Sequence, residues 1–427
     1  MMKLDRTIAP KVKALTNVEF LHPMNITLSN GIPLNVIDVG VQDVVRMDVL
    51  FEGGQWLQKQ KLQSLFTNRM LREGTASFSS YELSRQLDFY GSWMEFANYP
   101  KYTSITLYSL NKYIDKTLAL LHSAITEPLF PEKELTTLKD RSKQQFLVHL
   151  SKVSFLANRL LFKSLYGEEH PLGIHTRQED FDAMNVKLLQ SYHQDHYHSA
   201  GCSFYLSGKI STGVLQSVEA ILGKESFGVK KEFTPATFSC TTSDEKRVTL
   251  KKDSAMQNAV RLGALTISHN HSDYLKLRVL VTLFGGYFGS RLMSNIREDK
   301  GYTYGISASL IPYPDSTIFM IASDTDPNYV EALIQEVYYE MDRLKSEKVS
   351  EEELSKVKNY MIGDLCRNYE TAFSIADAWL TVKTSALSSN YFEEMLKAIE
   401  EVTVDDIYKL ANRYFSSESM REVVVGK

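Results

Sequence analysis

The chain has 427 residues, 43% of them hydrophobic and 23% charged, which sets an expectation of two or three domains of ~150 residues with room for large cores. Lys and Arg total 48 against 52 Asp and Glu, a net charge of −4, so there is no basic excess of the kind that nucleic-acid binding requires. The three cysteines, Cys202, Cys240 and Cys366, are odd in number and far apart, which excludes a disulfide framework and a C-x-x-C metal pair.

From the N-terminus, Met1 to Lys13 is polar and basic without an apolar h-region. This predicts a cytoplasmic chain if the start is native, and a periplasmic one only if a signal was removed before it. Val45, Met47, Val49 and Phe51 alternate with Val44, Arg46, Asp48 and Leu50, the period of a half-buried strand. Thr103 to Tyr108 is a second β-rich run, and Ile114, Leu118, Leu121 and Ile125 then recur at helical spacing. Pro128 and Pro131 punctuate, and a further helix opens at Glu132.

A helix through Leu188 and Tyr192 carries His193, His196 and His198 toward a strand at Cys202–Leu206. Zinc takes imidazole readily, so this cluster is a candidate for a self-sufficient metalloenzyme. Against that, His196 and His198 stand at the helix end, where histidines serve the dipole, and Asp195 points off the face of His193. His269 and His271 occupy a polar, turn-like stretch and carry no more weight. Residues 223 to 252 are polar with weak periodicity, and are expected to be a linker.

The most apolar stretch, Val279 to Phe288, is broken by Gly285 and Gly286 and is too short to span a bilayer. Gly285-Gly286-Tyr287-Phe288-Gly289 lacks the G-K-[ST] ending of a phosphate loop, so its small residues are expected to admit a close backbone or substrate. Leu292, Met293 and Ile296 mark a short helix stopped by Gly301, and from Tyr302 through Tyr304, Ile306, Ala308 and Leu310 a strand begins. Arg297 and Tyr304 thus flank one turn. A guanidinium can hold substrate carbonyls and a phenol can stabilise an oxyanion; the alternative is an Arg bonded to helix carbonyls beside a core Tyr.

Ile318–Ile321 reads as a buried strand, Asp326-Pro327 as a helix start, and Val330, Leu333, Val337 and Met341 as that helix's stripe. Ser350 and Glu353 form an expected capping box ahead of another helix. A helix through Ile407, Leu410 and Tyr414 leads to a last strand at Val423–Val425. The second half therefore repeats the strand–helix–helix order of the first, with matching helix starts at Glu132 and Glu351. The fold expected is α+β: two homologous domains, each a mainly antiparallel sheet covered on one face by helices. Their boundaries are expected at 1–222 and 253–427.

Several segments together resemble the pitrilysin, insulinase and mitochondrial-processing-peptidase family of zinc peptidases. Gly-Gly-x-x-x-Ser-Arg-Leu at 285–292 and Ile-Arg-Glu-x-x-Gly-x-x-Tyr at 296–304 are similar to the family's second-domain motif. Asn30-Gly31-Ile32-Pro33-Leu34, Met70-Leu71-x-x-Gly74-Thr75, Glu127-Pro128-Leu129-Phe130 and His170-Pro171-Leu172-Gly173 extend the resemblance along nearly the whole chain. It implies that Arg297 and Tyr304 bind substrate and stabilise the transition state.

Active members carry an inverted H-x-x-E-H just before the Met-Leu-x-x-Gly-Thr stretch. Here those positions hold Leu65, Asn68 and Arg69, and no Glu occurs between Glu134 and Glu168, where the remote ligand is expected near Gln144-Gln145-Phe146. Leu65 has no donor atom, Asn68 is a poor base, and Arg69 is a permanent cation that repels zinc. The resemblance thus implies a subunit that binds no metal, is inactive alone, and pairs as a clamshell heterodimer with a homologous zinc-bearing chain around an unfolded peptide. Arg297 and Tyr304 then act in trans. The alternative is a purely structural or assembly subunit of the same descent.

Overall fold

In the computed structural model the described residues are Thr7, 18–231 and 237–427. Most of the basic start and the middle of the expected linker lie outside them. Six strands form the first sheet: β1 (Met24–Thr27), β2 (Pro33–Asp38), β3 (Val44–Glu52), β4 (Trp93–Asn98), β5 (Tyr102–Leu110) and β6 (Cys202–Gly208), in the order β1-β2-β6-β3-β5-β4. Five form the second: β7 (Arg247–Lys251), β8 (Asn258–Thr266), β9 (Thr303–Tyr313), β10 (Ser316–Thr325) and β11 (Arg421–Gly426), in the order β7-β11-β8-β10-β9.

With β1 set aside, the two orders are the same. In each sheet one outer pair is parallel, β2 with β6 and β7 with β11, and the remaining pairs are antiparallel. The helices repeat as well. The first half carries α1 (Gln63–Met70), α2 (Ser80–Phe89), α3 (Ile114–Thr126), α4 (Glu132–Leu150), α5 (Val153–Tyr166), α6 (Gln178–Asp182), α7 (Val186–His196) and α8 (Thr212–Val218). The second carries α9 (Tyr274–Val281), α10 (Val330–Ser346), α11 (Glu351–Arg367), α12 (Ala372–Thr384), α13 (Tyr391–Glu401) and α14 (Val404–Tyr414). The paired starts at Glu132 and Glu351 open α4 and α11, each the second helix after a hairpin of strands. The chain is built from two homologous α+β domains.

β7 falls within the stretch read as linker. Its residues are half-buried or exposed, and it pairs on one side only, so it lacks the apolar alternation that marks a strand. The capping box at Ser350 is half formed. Ser350 Oγ accepts from Glu353 N at 3.1 Å, but the Glu353 carboxylate is held in two bonds, 2.8 and 3.0 Å, by Arg291. A bidentate guanidinium outcompetes one backbone N–H.

β3 is buried on both faces, not one. Val45, Met47, Val49 and Phe51 face the first domain's helices, while Arg46, Asp48 and Leu50 on the other face are also at most 5% exposed. The second face is covered because the domains exchange helices. From the first domain, α5 lays Ala157, Leu161, Leu165 and Tyr166 on Ala259, Ile318, Val423 and Val425 of the second sheet. From the second domain, α12 returns Ile375, Ala376, Trp379 and Leu380 to Ile37 and Tyr205 of the first. Each exchanged helix also meets a buried arginine. Arg46 bonds Asp377 at 2.7 Å and the Phe373 carbonyl at 3.3 Å on α12, and Arg261 of β8 bonds Asn158 of α5 at 2.8 Å. Among the described residues, no helix is long and apolar enough to cross a membrane.

Candidate functional site

The helix that carries Leu65, Asn68 and Arg69 is tied down from within. Gln63, Ser64, Phe66, Thr67, Asn68 and Met70 of α1 are all buried. Asn68 Nδ2 donates to the carbonyls of Ala97 and Ser104, each at 3.0 Å, and its Oδ1 accepts from the Tyr197 hydroxyl at 3.1 Å. Both ends of the amide are therefore committed to β4, β5 and the end of α7. A carboxylate here would offer only acceptors to two carbonyls.

Arg69, half-buried beside it, has its pKa lowered first by burial and then by the nearby positive charges of Arg141 and Arg72. Leu65 is half-buried, and Gln144 and Gln145 of α4 are exposed. This set of side chains does not fit zinc: a hydrocarbon, an amide that is already satisfied, and a group of guanidiniums. Among the described residues, no group of three His, Cys, Asp or Glu could hold a metal ion.

The loops that follow are tied to each other by backbone hydrogen bonds. Gly74 adopts φ +131°, Ala76 N donates to the Glu127 carbonyl, and Leu129 N to the Gly74 carbonyl, each at 3.0 Å. The Met-Leu-x-x-Gly-Thr and Glu-Pro-Leu-Phe segments, more than fifty positions apart, thus form one clasp.

The three histidines are structural. His193 Nε2 meets the Ile125 carbonyl at 2.7 Å, and His198 Nδ1 accepts from Gly201 N at 3.0 Å. His196 is 3% exposed, and burial pushes its pKa down to about 4. Each ring serves a different local contact.

In the second domain, Gly285 is small for the reason expected. A Cβ there would come within 2.6 Å of the Ala308 Cβ and 2.8 Å of its N, so the close neighbour is the backbone of β9. The chain then winds through a π-helical stretch, Met293–Asp299, anchored by the buried Leu292 and Ile296, and stops at Gly301 with φ +67°. Arg297 leaves this stretch with its guanidinium 4.8 Å from the ring centroid of the exposed Phe288 and 3.9 Å from the Glu298 carboxylate. It is a cation resting on an aromatic face.

Tyr304 is the second residue of β9 and is 90% exposed, whereas Ile306 and Ala308 on the same strand are 3% exposed. It therefore lies outside the core and does not continue their apolar face. The cause is a bulge: Thr303 pairs with Thr325 and Ile306 with Ser323, so Tyr304 and Gly305 together oppose Asp324 alone. The sequence signal is Gly305, since an isolated glycine inside a strand pattern often marks a bulge. Tyr304 borders an open pocket of about 410 Å³ whose lining includes Gln257, Arg261 and Asp324.

Residues 183–361 match the family described as "Peptidase M16 inactive domain". A Rickettsia felis protein named uncharacterized zinc protease is 22% identical over 421 residues, covering 93% of this chain and 96% of its own. A Bacillus subtilis protein named probable inactive metalloprotease YmfF is also 22% identical, over 70% of this chain and 71% of its own. A crystal structure of a peptidase M16 inactive domain from Pseudomonas fluorescens shares the fold with a TM-score of 0.81 at 22% identity, covering 95% of this chain and 98% of that one.

Proposed function

We propose that this chain, a homologue of the M16 zinc peptidases that lacks their zinc motif, is the non-metal-binding subunit of a two-chain zinc peptidase. In this reading it closes as a clamshell with a homologous chain that carries H-x-x-E-H and the zinc, and the substrate is an unfolded peptide held between them. In this reading the domain with the degenerate metal site ends at about position 222, and the domain that presents Arg297 and Tyr304 starts at β7, a few residues before the expected boundary at 253.

The observation that carries the reading is the exposure of Tyr304. A tyrosine kept for packing would be buried. This one is 90% exposed, and among the described residues no group bonds its phenol. Arg297, braced on Phe288, has N–H groups to offer a peptide carbonyl. As the scissile carbonyl is attacked in the partner's site, Tyr304 donates its O–H to the oxygen that gathers negative charge. Such preorganised donors gain most where charge develops.

The test is reconstitution. The chain is mixed with a homologous H-x-x-E-H chain from the same genome, and the eluted complex and its cleavage of an unstructured peptide are measured. The reading expects co-elution, with chelator-sensitive cleavage by the pair and none by this chain alone. Failure to associate, or cleavage by this chain alone, overturns it. A stable pair whose cleavage ignores Tyr304 makes the chain an assembly subunit.

A further inference from the structure

The bulge that displays Tyr304 leaves backbone groups without ladder partners, and two hydroxyls take them up. Thr303 Oγ1 lies 2.7 Å from the Asp324 carbonyl and accepts from Gly305 N at 3.1 Å. Ser323 Oγ, on the facing strand, lies 3.0 Å from both Thr303 Oγ1 and the Gly305 carbonyl. A hydroxyl has one hydrogen to give and lone pairs to receive. Thr303 Oγ1 is also 3.0 Å from the Gly305 carbonyl, so one assignment alone satisfies both carbonyls: Thr303 donates to the Asp324 carbonyl and accepts from Gly305 N–H, and Ser323 donates to the Gly305 carbonyl. One turn back, Thr325 Oγ1 closes on the Tyr302 carbonyl at 2.5 Å. Ser323 is 5% exposed, so the bonds of its hydroxyl are partly shielded from water, whereas the bond from Gly305 N to Thr303 lies at the surface.

Without the bulge, Tyr304 would share the face of Ile306 and Ala308 and enter the core. With it, the ring faces outward. We infer that Thr303 and Ser323 are positioning residues: their hydroxyls latch the bulge at Tyr304–Gly305 and so fix the direction in which Tyr304 presents its phenol. The inference rests on the reading of Tyr304 as a donor in trans, but the latch itself can be examined in this chain alone.

Thr303→Val keeps the shape and removes the hydroxyl, Thr303→Ser keeps the hydroxyl, and Ser323→Ala removes its partner. In the isolated chain, amide hydrogen exchange at Gly305 should be slow in wild type and Thr303→Ser, and at least about tenfold faster in Thr303→Val, because an opening of ~1.4 kcal/mol is tenfold in population. Unchanged exchange at Gly305 in Thr303→Val overturns the latch, whatever the turnover data show.

In the reconstituted pair, Thr303→Val should lower kcat by roughly 10- to 100-fold with KM nearly constant, the scale of a misplaced catalytic contact. Ser323→Ala should act in the same direction, and Thr303→Ser should restore turnover. In a Tyr304→Phe background, Thr303→Val should add nothing, since residues acting as a unit are non-additive. Faster exchange with unchanged kcat shows a latch that does not position Tyr304, and overturns the inference. If Tyr304→Phe alone leaves kcat unchanged, the trans reading fails, and Gly305 exchange alone decides the latch.

Discussion

Tyr197 donates its phenol hydrogen to Asn68 Oδ1 across 3.1 Å, inside the helix where active relatives are expected to carry a general base. This bond, with the two from Asn68 to Ala97 and Ser104, makes position 68 a structural joint. Asn68→Asp is nearly isosteric, yet at neutral pH it turns two donors into acceptors facing carbonyls. A loss of roughly 2–4 kcal/mol is expected, measurable by urea unfolding at pH 7. An unchanged midpoint would mean the amide bonds nothing of consequence.

Restoring the motif should not restore the metal. The triple change Leu65→His, Asn68→Glu and Arg69→His disrupts the Asn68 joint, leaves Arg72 and Arg141 beside the site, and still lacks an acidic ligand near Gln145. Plasma emission analysis after zinc loading and gel filtration should find well under one zinc per chain. Stoichiometric, tightly held zinc would show that the surrounding structure accepts the ion.

His196 makes stability depend on pH. In the folded chain burial lowers its pKa to about 4 from an ordinary 6.5, so the unfolded chain takes up this proton first as pH falls. Stability from this group is complete above about pH 6.5 and is lost as pH drops toward 4, by about 3 kcal/mol in all. His193, also lowered by burial, acts in the same direction. Melting temperatures of wild type and His196→Gln between pH 4.5 and 7.5 should converge at the acid end, because the variant lacks the titration.

The helix exchange couples the two domains. Leu161 of α5 is fully buried against the second sheet, so Leu161→Ala should cost about 2–5 kcal/mol. Because α5 and α12 each cover the other domain's sheet, tryptophan fluorescence and far-UV circular dichroism should report one shared unfolding transition. Two separated transitions would mean that the domains stand independently.

Much of the fold was legible because local signals and burial coincide. The alternation at Val45–Phe51 became β3, the spacing at Ile114–Ile125 became α3, and Gly301 took the left-handed φ its position demanded. What escaped was long-range. Nothing in Arg46 announces that α12, more than three hundred residues away, will cover it. β7 hid because an exposed edge strand needs no apolar face. At the site, the poor donor chemistry of Leu65, Asn68 and Arg69 was readable residue by residue, since each side chain has plain properties. The outward turn of Tyr304 was not, because a bulge depends on the facing strand, and only Gly305 hinted at it. The half-formed box at Ser350 has the same origin: its Glu353 found a partner, Arg291, that lies sixty-two positions away.

The most direct measurement is the effect of Tyr304→Phe on the reconstituted pair, with kcat and melting temperature taken from the same preparation. Tyr304 is 90% exposed, so removing its hydroxyl should shift stability by no more than about 0.5 kcal/mol. Loss of one transition-state donor should lower kcat by ~100- to 1000-fold, and Arg297→Ala should in addition raise KM by removing a ground-state contact. A stable, fully assembled pair whose turnover is unchanged by Tyr304→Phe would contradict the account and leave this chain a scaffold.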